Sequence, residues 1–248
     1  MNILNLFKRN QKQLDPINFS DIGVDMHSHL IPGIDDGSKS MDDTIAMLTK
    51  MQSLGYKRVI TTPHVYSDYY KNSSETILNG LQFVRAEVEK YGIDIQVDAA
   101  AEYFCDEYFM ELINQNDLLT INGKYILMEF PFVFELANWK DYVFKIQSIG
   151  YVPIIAHFER YIYWHSSTEL AQELINLGAK IQININSLTG HYGPEVRKQA
   201  ERLIDKQLFH FLGTDCHRIQ HLNMMEANAN LPYLHKAVES GCLMNVNL

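Results

Sequence analysis

The stretch VDMHSHLIPGIDDG, residues 24–37, places the histidines His27 and His29 and the aspartate pair Asp35 and Asp36 around a Pro-Gly turn. Residues 22–27 (IGVDMH) read as a buried strand, and Pro32, Gly33 and Gly37 let the backbone fold back after it. Positions two apart on an extended chain face the same way, so His27 and His29 offer both imidazoles to one point. Such a pair belongs either to a polar loop closing a core strand or to the first part of a metal site.

Outward from this stretch the pattern repeats. SKSMDDTIAMLTKMQSLG reads as a helix with Ser40 as N-cap, Asp43 three residues on and Gly55 past its end. KRVITT (57–62) is the next strand, leading to Pro63 and His64; a long helical stretch, SSETILNGLQFVRAEVEKYG, then leads to the strand IDIQVDAAAEY. YILMEF (125–130), VPIIAH (152–157), AKIQINI (179–185) and FHFLGTD (209–215) follow, separated by helical patterns. Seven strands alternating with helices predict parallel βαβ units buried on both faces, hence an α/β fold forming a closed or nearly closed β/α barrel. An open doubly wound sheet is the alternative. No GxGxxG or GxxxxGK[ST] follows any strand, so a nucleotide cradle has no support.

The composition fits one large domain: 248 residues, 46% hydrophobic, 21% charged. We expect it to occupy residues 21–248, with residues 1–20 as an N-terminal appendage, a frayed tail or a docking segment. A formal charge of −9 excludes general affinity for nucleic acid, which needs clustered Lys and Arg. Cys105, Cys216 and Cys242 form no disulfide framework or thiolate knuckle, which fits a reducing cytoplasm. No apolar run reaches the ~18 residues of a membrane span. MNILNLFKRNQKQLD carries its basic residues after its apolar ones, the reverse of a secretory signal.

The chemistry gathers at the carboxyl ends of the expected strands, where barrel enzymes build their sites. There stand His27 with His29, His64, Glu102, Glu129, His157, the pair Asn184 and Asn186, and Asp215 with His217. Glu102 and Glu129 are carboxylates inside apolar strands, a costly placement unless a salt bridge or a metal neutralises them. His64 and His157, taken singly, also read as satisfied core histidines. Asp36 reaches the same end through its turn, whereas Asp35 is the weaker candidate and stabilises the turn. Together His27, His29, Asp36, His64, Glu102, Glu129, His157, Asp215 and His217 are too many for one tetrahedral ion and suit two or three divalent cations. Nitrogen and oxygen donors without thiolate favour Zn, Mn or Fe over a structural zinc. Three dications against four carboxylates leave an excess of about two positive charges, which attracts a phosphate dianion. Phosphoester hydrolysis is the reaction class this suggests. A thiol mechanism is excluded, because no cysteine is followed by an arginine six positions on, as a CxxxxxR loop requires.

DMHSHLIPGIDDG, TTPH, AAAEY, LMEF, AHFERY and GTDCH, in this order, resemble the bacterial PHP (polymerase and histidinol phosphatase) superfamily. Within it, PGxDDG with AHxERY resembles the capsule-biosynthesis tyrosine phosphatases of the CpsB, CapC and YwqE type, over roughly residues 21–240. The resemblance implies a distorted seven-stranded (β/α)7 barrel with three divalent metal ions, manganese first and iron or zinc as alternatives, held by the nine residues above. It implies a metal-bridged hydroxide acting on phosphotyrosine, on a cytoplasmic tyrosine autokinase that controls capsular or exopolysaccharide export. Arg160, in HFERY, matches an arginine that binds the substrate phosphate; a salt bridge to a neighbour such as Glu159 is the structural alternative. Related enzymes carry a further arginine after the DxH motif, where this chain reads RIQHLNMMEAN and offers Arg218, with His221 and Asn223 beside it. His217 or His64 is the expected proton donor if a metal does not fully occupy it. Tyr66, Tyr69, Tyr70, Phe130, Phe132, Phe134, Tyr161, Tyr163 and Trp164 are candidates to hold the phenyl ring. Histidinol phosphate or another small phosphomonoester is the alternative substrate, and a non-catalytic barrel binding a phosphoprotein the alternative role.

Overall fold

In the computed structural model of the chain, residues 14–165 and 167–248 are described. Most of the expected appendage, residues 1–13, lies outside them; its described end is packed, with Phe19 buried in the core and the Ile17 amide donating to the Ala229 carbonyl.

The elements alternate, and all the strands are short: β1 (Val24–Asp25), α1 (Met41–Leu54), β2 (Arg58–Thr61), β3 (His64–Val65), α2 (Ser74–Lys90), β4 (Gln96–Ala99), β5 (Glu102–Phe104), α3 (Glu107–Gln115) and β6 (Tyr125–Glu129). Then come α4 (Trp139–Ser148), β7 (Val152–Ile155), α5 (Glu169–Asn176), β8 (Lys180–Asn184), α6 (Pro194–Asp205), β9 (Phe211–Gly213), α7 (Ile219–Ala227) and α8 (Pro232–Val238). Helix α1 shows how the sequence sets the boundaries. The Ser40 hydroxyl accepts from the Asp43 amide at 3.2 Å, Gly55 ends the helix at φ 110°, and Thr44, Met47, Leu48, Met51 and Leu54 form its buried stripe.

Every strand pair is parallel, in two sheets ordered β1-β2-β4 and β3-β5-β6-β7-β8-β9. The seven expected runs become nine strands because the run 93–103 divides into β4 and β5 and the chain beyond the run 57–62 adds β3. Pro63 has no amide hydrogen to give a ladder, so the extended chain 58–65 breaks into β2 and β3. Its neighbour breaks beside it, at Ala100 and Ala101. The ladder continues across the break, with Ala100 donating to the Thr61 carbonyl at 2.9 Å and Glu102 to that of Pro63 at 3.1 Å.

The first and last strands also meet. Ser28 and Cys216 form a parallel bridge, Asp215 donates to the His27 carbonyl at 2.8 Å, and His29 to that of Cys216 at 2.9 Å. The buried Asp25 carboxylate fastens this seam by accepting from the Thr214 amide and hydroxyl at 2.9 and 3.0 Å. Val24, Met26, Ile60, Leu127, Ile154, Ala156 and Phe211, drawn from all round the sheets, pack as a small apolar cluster of their own. The larger core lies between strands and helices. No described helix is long and apolar enough to cross a membrane.

Candidate metal and phosphate centre

Polar side chains at or just beyond six of the strands converge on one point. His27 and His29 follow β1, His64 opens β3, Glu102 opens β5, Glu129 closes β6, His157 follows β7 and Asp215 follows β9. His157 and Asp215 have φ of 29° and 48°, left-handed values that non-glycine residues rarely adopt and that recur at functional sites.

The structure brings all nine candidate ligands together in four overlapping groups, in each of which the donor atoms lie within 4.8 Å of one another. The groups are His27, His29 and Asp215; His27, Glu102 and His157; His64, Glu102 and Glu129; and His29, Asp36, His64 and His217. Glu102 is the hub. Its Oε2 lies 3.2 Å from His27 Nε2, 3.4 Å from His29 Nε2 and 3.1 Å from His64 Nδ1, and its Oε1 is 3.0 Å from His157 Nε2. Asp36 Oδ1 faces His64 Nε2 at 3.5 Å and His217 Nε2 at 3.3 Å.

The other ring nitrogen of three histidines is tied back, which aims Nε2 inward. His27 Nδ1 donates to Gln182 Oε1 at 3.0 Å, His29 Nδ1 to Asp35 Oδ2 at 2.8 Å and His217 Nδ1 to the Asp215 carbonyl at 3.0 Å. Gln182 Oε1 also accepts from the His157 amide, which fixes the orientation of its amide group. Asp35 does more than hold its turn, since it accepts from the Gly37 and His64 amides as well. Sequence reading missed Gln182. The available signal was its position two residues before Asn184 on one strand, which puts both on one face; the two side chains are hydrogen-bonded at 2.8 Å.

Electrostatics follow from the crowding. Burial would raise the Glu102 carboxyl, but the His27 and His64 imidazoles and the His157 hydrogen bond hold it well below the usual range. Burial would lower His157, yet its hydrogen bonds to Glu102 and Glu129 push it up to about 9. His27 and His29 are raised in the same way by carboxylates that outweigh their burial.

Arg160 does not pair with Glu159, whose buried carboxylate accepts from the Asn184 amide and the Ser187 hydroxyl. Its guanidinium lies over the Phe132 ring at 4.3 Å and the Tyr192 ring at 4.4 Å, and donates to Asp215 Oδ2 at 3.2 Å. With Asp36, His64, His217, Arg218, His191 and His221 it lines a cavity of about 210 Å³ over the candidate ligands. Arg218 Nε donates to His221 Nε2 at 3.2 Å, and Asn223 is exposed outside that lining. A cleft of about 730 Å³ adjoins the cavity and shares His64, Glu129 and Phe132 with it. Tyr66, stacked on Phe104 at 4.0 Å, Tyr70 and Phe134 also line the cleft. The other aromatic candidates lie elsewhere. Phe130, Tyr161 and Trp164 are buried in the core, Tyr163 donates to the Pro131 carbonyl, and Tyr69 is exposed outside the cleft lining.

Comparison with known proteins gives this geometry a lineage. The chain is 34% identical over 200 residues to the putative tyrosine-protein phosphatase CapC of Staphylococcus aureus, covering 79% of this chain and 77% of that protein. It is 29% identical over 222 residues to the tyrosine-protein phosphatase YwqE of Bacillus subtilis, covering 85% and 87%. Among solved structures, those of YwqE from Bacillus subtilis and CpsB from Streptococcus pneumoniae, described as metal-dependent tyrosine phosphatases, match with TM-score 0.75 and 28% identity over 86% of this chain and 84% of that one. A histidinol phosphate phosphatase from Lactococcus lactis shares the fold, with TM-score 0.54 at 15% identity over 87% and 94%. The family model for capsular polysaccharide synthesis, CpsB/CapC, matches residues 23–245, and the chain belongs to that family.

Proposed function

We propose that this protein is a metal-dependent tyrosine phosphatase, a phosphoric monoester hydrolase acting on phosphotyrosine in proteins. The observation that carries the reading is the junction of two cavities. Imidazoles, carboxylates and two arginines line the small one, aromatic rings line the large one, and the two meet at His64, Glu129 and Phe132. Phosphate and phenyl ring are the two halves such a junction accommodates.

The donor set fits a cluster of divalent cations. Glu102 Oε2 is buried with no hydrogen-bond partner, and His27 Nε2 and His29 Nε2 face each other at 3.4 Å, an arrangement that needs a shared cation or proton between lone pairs. His27, His29, Asp36, His64, Glu102, Glu129, His157, Asp215 and His217 would hold three ions, with manganese first and iron or zinc as alternatives. Such ions lower the pKa of coordinated water and draw charge from phosphoryl oxygens. The chain's own side chains do the rest. Arg160 binds the equatorial phosphoryl oxygens, held in place by its two rings and by Asp215. Arg218 supplies a second positive charge at the same cavity. Phe132 and Tyr66 hold the ring. His64 or His217, where a metal does not fully occupy it, stands at the cavity to protonate the departing phenolate oxygen, and otherwise solvent water does so, a modest demand because a phenol already leaves at a pKa of about 10.

On the same reading the nine strands are seven β/α units of a distorted PHP-type barrel. β2 continues into β3 and β4 into β5, and the Ser28–Cys216 bridge joins the first unit to the last. Family membership supports a role in capsular or exopolysaccharide synthesis, with the tail of a tyrosine autokinase as the phosphorylated partner. The free cysteines fit a cytoplasmic setting.

Hydrolysis of a phosphotyrosine peptide and a matched phosphoserine peptide, before and after EDTA treatment and manganese repletion, tests the reading. Release from phosphotyrosine alone, lost with EDTA and restored by manganese, is the expected result. No release from either peptide by protein shown to carry metal would overturn it.

A further inference from the structure

The large cleft is oversized for the ring that the proposed function puts into it. At about 730 Å³ it matches cavities that enclose a drug-sized ligand, several times a phenol. Its inner end is the junction with the metal cavity. Beyond Phe132 the lining continues through Val133, Phe134 and Leu136, with Tyr142 and Phe104 contributing from α4 and β5. Val133 and Phe134 are 81% and 59% exposed, far more than a solitary globular chain needs for large apolar side chains placed next to each other. The cleft also has a charge. Asp68 and Glu107 line it and are exposed, and among the described residues no lysine or arginine lies within ion-pair distance of either. Asp106, also in the lining, is committed to the amides of Ser67 and Phe109.

We infer that the outer half of this cleft is a second subsite, which takes a large apolar side chain next to the phosphotyrosine and favours a basic over an acidic residue just beyond it. The inference rests on the phosphotyrosine reading and adds a sequence preference to it. Continuity fixes the occupant: the subsite runs directly into the cavity for the phosphorylated ring, so the residue reaching it is a neighbour in the same peptide. Complementarity fixes the charge, since two exposed carboxylates with no ion-paired lysine or arginine line the cleft. An acidic neighbour would meet like charge there.

Phosphotyrosine peptides of one length test this on the metal-loaded protein. In one pair the residues flanking the phosphotyrosine are Ala or Leu; in a second pair the residues beyond are Lys or Glu. Free phosphotyrosine is the baseline substrate. Leu over Ala is expected to raise kcat/KM about tenfold, and Lys over Glu about threefold. Val133→Ser should reduce the first preference while leaving hydrolysis of free phosphotyrosine unchanged. Asp68→Lys with Glu107→Lys should reverse the second. Equal kcat/KM for the Ala and Leu peptides, with free phosphotyrosine still hydrolysed, would overturn the subsite and leave the phosphatase reading standing. Absence of all hydrolysis would sink that reading instead. Calorimetric binding of the same peptides carrying a non-hydrolysable phosphonate then decides the subsite separately: tighter binding of the Leu peptide supports it and equal binding refutes it.

Discussion

At Arg160 two aromatic rings and a carboxylate are committed to one guanidinium, with Phe132 and Tyr192 at 4.3 and 4.4 Å from its carbon and Asp215 Oδ2 at 3.2 Å. A group held this way loses little entropy when it meets a phosphate, so its stabilisation is available where charge develops. Arg160→Ala is expected to lower kcat by about 10²–10³-fold with metal content unchanged by elemental analysis; undiminished turnover would contradict the assignment. The Tyr192 hydroxyl is only loosely placed, 3.4 Å from Asp215 Oδ2, whereas its ring covers the cation. Tyr192→Phe should therefore retain activity, while Tyr192→Ala should lose about five- to thirtyfold in kcat/KM. Equal losses in both variants would point to the hydroxyl instead. The nine candidate ligands were legible in the sequence because strand ends and period-two spacing are local signals. Tyr192 was not, since it stands in a loop after β8 with no pattern around it and only the fold brings it to Arg160. Asp35 and Asp36 show the same limit: adjacent aspartates in one turn take different parts, one orienting His29 and the other facing His64 and His217.

The elements hold the site through close approaches that leave no spare volume. A Cβ on Gly37 would stand 2.4 Å from the Cβ and carbonyl oxygen of His29, so Gly37→Ala must displace the turn or the histidine. That variant is expected to lose metal affinity by about 10–100-fold and to melt lower; wild-type affinity would show that the turn yields freely. The seam between β1 and β9 supplies a pH test. Burial is the main influence on Asp25 and raises its carboxyl from 3.8 to about 6, against the two Thr214 hydrogen bonds that pull it down. The fold thus prefers the protonated form, and this preference is fully present below the unfolded value and lost as pH rises through about 6. An asparagine stays neutral throughout and keeps both contacts, its oxygen accepting the Thr214 amide and its amide donating to the hydroxyl. Asp25→Asn should therefore gain stability relative to wild type as pH rises from 5 to 7.5, by an amount on the order of 1 kcal/mol, the rest of the effect falling between the unfolded value and pH 5. A melting-temperature difference that is the same at both pH values would refute it. Pro63 was visible as a break in one strand, but the matching break at Ala100 and Ala101 carries no local signal. It follows from pairing with the divided neighbour, a relation between chain segments that a linear reading does not contain.

For the whole molecule the decisive balance is between protons and metal. Five imidazoles and four carboxylates crowd one end of a chain whose formal charge is −9, and the carboxylates raise His27, His29 and His157 so that protons on these three offset part of the carboxylate charge when cations do not. A cation must displace those protons, so its apparent affinity falls as pH drops below the value of about 9 that Glu102 and Glu129 impose on the buried His157. EDTA should consequently strip the protein more readily at pH 6 than at pH 8. Stripping should also destabilise the fold, because the ligands come from strands at every stage of the chain and the metal ties them together. An ion present at 100 times its Kd contributes about 2.7 kcal/mol, which for a chain of this size is a fall in melting temperature of roughly 5–10 °C. Circular dichroism melts of the loaded, stripped and manganese-repleted protein, with metal counted in each, make the measurement. An unchanged melting temperature after confirmed metal loss would mean that the imidazole–carboxylate cluster closes on itself when empty, and would remove the metal from the account of stability.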